Sequence, residues 1–292
     1  MFGKIIRSVV IGLFLLCAVL PMFWVFMTSI RTKDAAIGTQ LRIIPGKEDK
    51  ENSMEFKATT EESFQRISKP VIKGDTNERT FLGYLFNSII IAGISTLCAV
   101  LLGTSTAYGF SRFKIPGSKD WLFFILSTRF LPPLAVVVPI LFMYRTMNLN
   151  DSHLGMIILY TAFNLSLAVW LMKGFIDEIP KAYEEAALVD GYTQLQAFIK
   201  IIIPEAMTGM AVTGVFCLIA AWNEYGFALI LNNDKGVWTA PVFFGGQKGL
   251  IEGTPWPLIA AGIIIFVFPV LVFVSLVRNH LLRGMTFGTV KG

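Results

Sequence analysis

Long apolar runs alternate with short polar segments along most of the chain. A hydrocarbon layer about 30 Å thick is crossed by roughly 20 helical residues, and the runs of that length are Val9 to Ile30, Leu82 to Phe110, Trp121 to Tyr144, Leu154 to Met172, Ala206 to Leu231 and Trp256 to Val277. Because backbone amides find no water inside lipid, each run is predicted to be a helix. The pattern predicts an all-α, polytopic membrane protein with six transmembrane helices.

Composition supports the same class. The 292 residues are 54% hydrophobic and only 15% charged, with a mean hydropathy of +0.63, whereas soluble domains carry about 25% charged residues. The net charge of +5 comes from Lys and Arg at the ends of apolar runs, and no basic stripe is interleaved with aromatic residues. We therefore expect membrane lipid to be the anionic neighbour, and we expect no nucleic-acid partner.

Metal-ligating residue types are scattered. Cys17, Cys98 and Cys217 each lie alone inside an apolar run, and His153 and His280 have no second ligand three or four residues away. Structural metal sites need several ligands at short, regular spacings. The sequence predicts no metal site.

Charges at the ends of the runs predict the orientation. The two short loops on one side hold only Arg145, Lys235 and Lys248, so the positive-inside rule predicts that both termini are cytoplasmic. The first run lacks a small-residue cleavage site and is predicted to be a retained anchor. The long loop from Arg31 to Arg79 is nearly neutral, with ten bases and nine acids, and is predicted to be a small external element.

The segment between the fourth and fifth runs is too polar to cross lipid, yet it is strongly patterned as helix, turn, helix. Pro180 suits the first turn of a helix, and Gly191 stands where a left-handed residue would end it. Thr193 can cap a second helix through Ile203. Pro204 is expected to stop or kink that helix before the next span.

Acidic residues distinguish this segment from a helix pair that lies on lipid headgroups. The acids that crowd the first helix are Glu178, Glu184, Glu185 and Asp190. Anionic lipid would repel them, and interfacial helices have basic polar faces. Tyr183, Ala186 and Ala187 fall on one face at i, i+3 and i+4, and two alanines let a backbone approach closely. A protein partner is the favoured interpretation.

The spacing of the segment resembles a known motif. The matching positions are Glu185, Ala186, Ala187, Gly191, Ile201 and Pro204. They are similar to the EAA loop, EAA-x3-G-x9-I-x-L-P, of inner-membrane permease subunits of ABC importers, with Ile203 where Leu is usual. Flanking segments such as RFLPPLAVVVPILFMY and AWNEYGFALIL are similar to MalG-like permeases of carbohydrate importers. The resemblance covers about residues 81 to 292.

This resemblance implies a coupling role for the segment. The ATPase-coupling residues it implies are Glu185, Ala186, Ala187, Asp190, Gly191, Ile201 and Pro204. The implied partners are a second permease subunit, two ATP-binding subunits and a periplasmic solute-binding protein, in a bacterial inner membrane. ATP and Mg are bound by the ATPase subunits, and this chain needs no cofactor of its own. Weaker similarity suggests that the C-terminal tail reaches the ATPase subunits.

The same resemblance implies the division of the chain. Residues 1–80 are expected to form an N-terminal transmembrane anchor and periplasmic loop. Residues 81–292 are expected to form the permease domain, with the EAA loop at 173–204. The transported solute is implied to be a sugar or sugar-like compound.

Polar residues inside the apolar runs are the candidate substrate pathway. A charge near the bilayer centre costs about 2.5 to 3.5 kcal/mol on insertion scales, so such residues need partners or water. Asn164, Asn223 and Glu224 are the candidates, with inter-helix hydrogen bonding as the alternative role for Asn164 and Glu224. For Arg129 a structural role is favoured. Counted along unbroken helices, Arg129 and Glu224 lie at different depths, so a direct pair would require a broken helix.

Catalytic motifs are lacking in the sequence. GGQKGL at Gly245 to Leu250 has the wrong spacing for a phosphate-binding loop, and no catalytic residues with recognisable spacing stand out. We expect a pore-forming subunit rather than an enzyme. An ion-coupled secondary transporter is the alternative; Glu224 is a single carboxylate near the end of a run, whereas that class usually has several within the membrane and inverted repeats. A membrane-embedded enzyme or assembly factor is a further alternative.

Overall fold

The computed structural model describes residues 2–30, 63–65, 67–68, 80–247 and 254–286. Most of the predicted external loop, and the C-terminal tail from residue 287, lie outside these ranges. Regular structure within them is helical throughout. The prediction of an all-α fold is confirmed.

Eleven helices carry the fold in the described residues. They are α1 Phe2–Ser29, α2 Phe81–Arg112, α3 Ser118–Ser127, α4 Pro133–Thr146, α5 His153–Glu178, α6 Lys181–Val189, α7 Gln194–Ala197, α8 Ile203–Trp222, α9 Gly226–Leu231, α10 Ala240–Gly246 and α11 Trp256–Thr286. Three short turns of other geometry lie between them: 3₁₀ turns at Thr128–Phe130 and Lys235–Val237, and a π turn at Phe198–Ile202.

Five helical stretches are long and apolar enough to span a membrane. They are Ile6–Ser29, Phe81–Arg112, His153–Glu178, Gln194–Trp222 and Trp256–Arg278. A sixth span is reached if the bent pair Ser118–Phe130 and Ala135–Thr146 is counted as one crossing. The polytopic membrane class is therefore confirmed, while the count of six depends on this bent pair.

The third predicted span is broken by two consecutive prolines. Leu131 has an extended backbone (φ −66°, ψ 123°), and so has Pro132 (φ −61°, ψ 126°). Each precedes a proline, whose ring disfavours the helical conformation at the residue before it. The two halves meet at 95°. Pro139, by contrast, stays inside α4.

The fifth predicted span, Ala206 to Leu231, is wrong at its far end. Helix α8 ends at Trp222, and α9 starts afresh at Gly226. Asn223 donates its side-chain amide to the Ile219 carbonyl at 2.9 Å, and such local bonds compete with helix continuation. Hydropathy does not register this break because both sides of it are apolar.

The described contacts group the chain into two units. The first comprises Met1–Leu85 and Phe243–Pro269. Within it, Phe81 packs against Phe243 and Phe244 with ring centroids 5.2 and 5.4 Å apart, and Phe244 meets Phe266 edge-on at 5.7 Å. Aromatic packing of this kind is the core of the unit.

The second unit comprises Phe86–Val242 and Val270–Gly292, and close helix contacts at glycines organise it. A Cβ at Gly103 of α2 would lie 2.6 Å from the Ala168 Cβ of α5, and one at Gly209 of α8 would lie 2.7 Å from the Phe175 Cβ of α5. Small residues at such crossings let helices approach closely in membranes. Helix α5 therefore packs directly on both α2 and α8.

We expect Gly103→Ala to lower the stability of the protein by roughly 1–3 kcal/mol, because the added methyl overpacks the contact with Ala168. Gly109→Ala is the matched control on the same helix, since a Cβ there meets nothing within 4 Å. It should stabilise by up to about 1 kcal/mol, since alanine favours helix over glycine. Thermal unfolding in detergent measures both variants, and equal midpoints would contradict the close approach.

Candidate functional site

The predicted helix, turn, helix segment follows α5. Ile179 (φ −76°, ψ 121°) and Pro180 (φ −59°, ψ 130°) are extended, and α6 begins at Lys181. Pro180 thus precedes the helix instead of lying in its first turn. The proline ring holds the preceding residue, Ile179, in the extended region, so the chain leaves α5 at Ile179 and Pro180 caps α6.

Gly191 ends the first helix, as predicted. Its φ is +87°, in the left-handed region that costs residues with a Cβ about 1–2 kcal/mol. The chain reverses here: Tyr192 N–H donates to the Ala187 carbonyl at 3.0 Å, and Gly191 N–H to the Leu188 carbonyl at 3.1 Å. A Cβ at Gly191 would meet nothing within 4 Å, so the backbone conformation, not space, requires glycine.

Thr193 caps the second helix, also as predicted. Its hydroxyl accepts the Gln196 N–H at 3.2 Å, and the Gln196 side chain accepts the Thr193 N–H at 2.9 Å. This reciprocal capping box satisfies two amides at the helix start. The arrangement fixes the direction in which the chain leaves the turn.

Pro204 does not stop the second helix, so of the two predicted outcomes, a stop or a kink, the stop is wrong. Instead, α7 runs through the π turn directly into α8, and the Ile203 N–H donates to the Phe198 carbonyl five residues earlier. A proline ring within a helix clashes with the carbonyl four residues before it, and here the wider π turn lies just before Pro204. Pro204 therefore shapes the junction without ending the helix.

Glu184 lies on the inward face of α6 and is 4% exposed. Its carboxylate is 2.9 Å from Arg112 Nε, in an ion pair whose side chains are each 5% exposed. It also accepts a hydrogen bond from the Tyr108 hydroxyl and one from Gln194 Nε2 at 2.9 Å. Arg112 donates a second hydrogen bond to the Ile179 carbonyl at 2.9 Å. We call Tyr108, Arg112, Glu184 and Gln194 the joint cluster.

The joint cluster is flanked by a second polar group. Ser111 Oγ donates to Asp177 at 2.6 Å, and Lys173 Nζ is 2.5 Å from the other oxygen of Asp177. Arg112 Nη1 also donates to Ser111 Oγ at 3.0 Å. The C-terminal ends of α2 and α5 are thus tied to the start of α6.

Sequence reasoning counted Glu184 among the acids of the segment but did not single it out. Its ion-pair partner is 72 residues away, and one sequence gives no signal for that distance. The available hint is the spacing of Glu184 and Ala187, which places both on one helix face. Both are buried, at 4% exposure each.

The outward face of α6 carries the exposed motif residues. Glu185, Ala186 and Asp190 are exposed, and Val189 is 88% exposed. Ala187 faces inward, so the expected pair of open alanines is reduced to Ala186. The reason is that i and i+1 positions of a helix differ by about 100°, and the joint cluster takes the side of Ala187.

The last motif positions lie at the helix junction. Ile201 is partly buried and Pro204 is exposed. Between them, Ile202 belongs to a buried apolar cluster. The cluster is Ala107, Tyr108, Met172, Ile176, Phe198, Ile202 and Ala206. It packs α2, α5 and the α7–α8 junction together beneath the segment.

A cavity of about 260 Å³ lies at the broken helices of the second unit. Its lining is Arg129, Leu131, Pro133, Tyr160, Phe163, Asn164, Ala220, Ala221, Glu224 and Phe227. Two breaks in helix geometry contribute: the 3₁₀ turn before α4 and the interruption between α8 and α9. Irregular backbone within membrane proteins is tolerated where it lines a cavity or packs on neighbouring helices.

The two charges of the cavity are held separately. Glu224 accepts the Tyr160 hydroxyl at 2.5 Å and the N–H groups of Phe227 and Ala228 at 2.8 and 3.2 Å. Arg129 donates to the Phe163 carbonyl at 3.0 Å. Among the described residues these charges line one cavity without an ion pair between them. Glu224 therefore satisfies the amides that the helix break would otherwise leave unpaired.

The two predicted asparagines differ in position. Asn164 lines the cavity, is 3% exposed and donates to the Cys217 carbonyl of α8 at 3.2 Å. Asn223 is exposed, bonds back to its own helix and is not part of the cavity lining. The structure thus places Asn164, Glu224 and Arg129 together and leaves Asn223 outside.

A family model described as "Binding-protein-dependent transport system inner membrane component" matches residues 99–286. That range contains both the joint cluster and the cavity lining. It leaves out α1 and the first part of α2.

Two relatives are similar over nearly the full chain. The trehalose transport system permease protein SugB of Mycobacterium tuberculosis (strain CDC 1551 / Oshkosh) is 32% identical over 292 residues, covering 100% of this chain and 97% of that protein. The trehalose/maltose transport system permease protein MalG of Thermococcus litoralis is 26% identical over 272 residues, covering 93% of this chain and 91% of that protein.

A solved structure shares the fold. One chain of a bacterial ABC transporter involved in the import of the acidic polysaccharide alginate superposes with a TM-score of 0.74 at 23% identity. The match covers 96% of both chains. At this level of identity the likeness concerns the fold alone.

We expect Gly191→Ala to destabilise the turn by about 1–2 kcal/mol, because the Cβ of alanine is strained in the left-handed backbone conformation. Gly191→Asn should cost less, since asparagine visits this region more readily than other residues with a side chain. Hydrogen exchange of the amides from Leu188 to Gln194 reports the local opening. The order Gly, Asn, Ala in protection is the expected result, and equal protection in Asn and Ala variants would contradict it.

Proposed function

The chain belongs to the family of binding-protein-dependent transport system inner membrane components, and on this premise we propose that it is a permease subunit of an ATP-driven sugar importer. The observation that carries the coupling part of the proposal is the two-sided α6. One side is tied to α2 by the joint cluster, while Glu185, Ala186 and Val189 face outward without cover.

The outward face of α6 is the proposed contact for an ATP-binding subunit. Glu185 and Asp190 supply negative charge, Ala186 permits close backbone approach, and Gly191 and Thr193 set the turn behind them. Ala187, Ile201 and Pro204 act in this proposal by packing and by shaping the junction. ATP and Mg are bound by the partner chain, which hydrolyses the ATP, and the motion of its nucleotide cycle is passed to the helices.

Orientation and partners follow from this assignment. The α6–α7 segment and both termini lie in the cytoplasm, and the chain spans a bacterial inner membrane. A second permease subunit, two ATP-binding subunits and a periplasmic solute-binding protein complete the importer. Residues 1–80 form the anchor and periplasmic loop, and 81–292 the permease domain. The family assignment favours this function over an ion-coupled secondary transporter.

The cavity is the proposed part of the solute pathway. Arg129 and Asn164 offer donors, Glu224 offers acceptors, and Phe163 and Phe227 offer ring faces, a combination suited to hydroxylated rings. Trehalose and maltose appear in the names of similar permeases, which supports a sugar as the class of solute. Asn223 would take part only if the α8–α9 break rearranges during transport.

We expect Glu185→Lys to leave the protein inserted but to prevent co-purification of the ATP-binding subunits, because it reverses the charge of the proposed contact face. Glu178→Lys is the matched control. Glu178 is exposed two residues before Pro180 and lies outside the motif. Expression, detergent stability and ATPase recovery are measured for both.

Recovery of the ATPase with Glu185→Lys at the wild-type level would contradict the contact role. Loss with both variants would show that any added charge in this region disrupts assembly, and would equally count against a specific contact. ATP hydrolysis by the purified chain alone would contradict the division of labour itself.

We expect Ala220→Trp to abolish solute uptake while the complex still assembles, because the indole fills much of the cavity. Ile219→Trp is the matched control, as Ile219 is 41% exposed and not among the lining residues. Uptake of radiolabelled trehalose and maltose into proteoliposomes containing the complete importer measures the effect. For whichever sugar the wild-type importer carries, unchanged uptake in the Ala220→Trp variant would exclude the cavity from the pathway.

A further inference from the structure

The joint cluster connects segments that are far apart in the sequence. Arg112 lies in the last turn of α2, Glu184 in α6 and Gln194 at the start of α7. Three hydrogen bonds of 2.9 Å join these segments. Arg112 Nε donates to Glu184, Arg112 Nη2 donates to the Ile179 carbonyl, and Gln194 Nε2 donates to Glu184. One guanidinium and one carboxylate thus hold both sides of the α6–α7 turn.

Stability alone does not account for a buried charge pair at this place. Taking two charges out of water offsets much of their attraction, and well-packed apolar residues often do as well or better. A charge-assisted hydrogen bond differs from apolar packing in being directional, because its donors and acceptor must keep their alignment. What the pair adds is a fixed orientation of α6 relative to the end of α2.

The path from this cluster continues along one helix. Helix α2 is unbroken for 32 residues from Phe81 to Arg112. In the second unit it packs on α5 where Gly103 meets Ala168. A displacement of Arg112 would therefore move α2 as one helix that is in direct contact with α5.

We propose that the Arg112–Glu184 pair, with Tyr108 and Gln194, is a rigid joint that makes α6 and the inner part of α2 move as one body. This inference rests on the proposed coupling function. It assigns to Glu184 and Arg112 a positioning role. Neither residue is proposed to touch the ATPase.

Spin-label distances test the joint without a transported solute. Cys17, Cys98 and Cys217 are replaced by alanine, and labels are placed at Leu188→Cys on α6 and Leu102→Cys on α2, which are 40% and 52% exposed in the native chain. Leu188 is not among the residues of the proposed ATPase contact. Distances are measured in the complete importer without nucleotide and with ATP and vanadate. We expect one narrow distribution whose mean does not shift between the two states.

The variant Glu184→Gln keeps the shape of the side chain and removes its charge. We expect the distribution to broaden and its mean to shift between nucleotide states, with the ATPase still bound. The double variant Arg112→Met with Glu184→Leu should behave in the same way, since apolar side chains preserve packing without directional bonds. Glu178→Gln, an exposed carboxylate change nearby, should leave the wild-type distribution unchanged.

A shift between states in the wild type would overturn the joint, and so would wild-type behaviour in both cluster variants. Loss of the ATPase from both cluster variants would also overturn it, because the pair would then only hold the docking face together. Failure of the proposed function is seen separately, as absence of the ATP-binding subunits from the wild-type complex.

Discussion

Every backbone amide inside lipid must find a partner within the protein, and this constraint organises the described structure. It makes long helices the default, and it makes each helix break a place where other groups must replace lost hydrogen bonds. At the α8–α9 break the Glu224 carboxylate accepts two amides. At Pro204 a π turn supplies a bond from Ile203 to Phe198 instead. The breaks are therefore polar sites by necessity. The cavity lies beside the break before α4 and the break between α8 and α9.

The charged residues of the cavity and those of the joint cluster are bonded in different ways. Glu224 and Arg129 line one cavity, yet each is satisfied by groups of the protein other than the opposite charge. Glu184 and Arg112 are paired directly and are almost fully buried. The first arrangement leaves polar atoms beside open volume, as the proposed solute pathway requires. The second arrangement ties α6 to α2 through buried, directional bonds.

The sequence pattern predicted the structural features whose causes lie in neighbouring residues. Hydropathy located the helices, and Gly191 and Thr193 carried enough local information to predict the turn and its cap. The break before α4 also has a local cause, because Pro132 and Pro133 hold the residues before them in the extended region. The break after Trp222 escaped prediction because its cause, the side-chain bonding of Asn223 and Glu224, leaves no hydropathy signal. The partner of Glu184 escaped because it is set by the packing of α6 on α2, which one sequence does not encode locally.

The same packing explains why the motif alternates between exposed and buried positions. A segment that only docked on a partner would expose all of its motif residues, and a segment that only packed against its own chain would bury them. Helix α6 exposes Glu185 and Ala186 while burying Glu184 and Ala187. A force applied to the outer face is then resisted by the inner one, whose hydrogen bonds end on α2. A buried face beside an exposed face is thus what the proposed coupling requires of this short helix, because the exposed face can bind a partner and the buried face is bonded to α2.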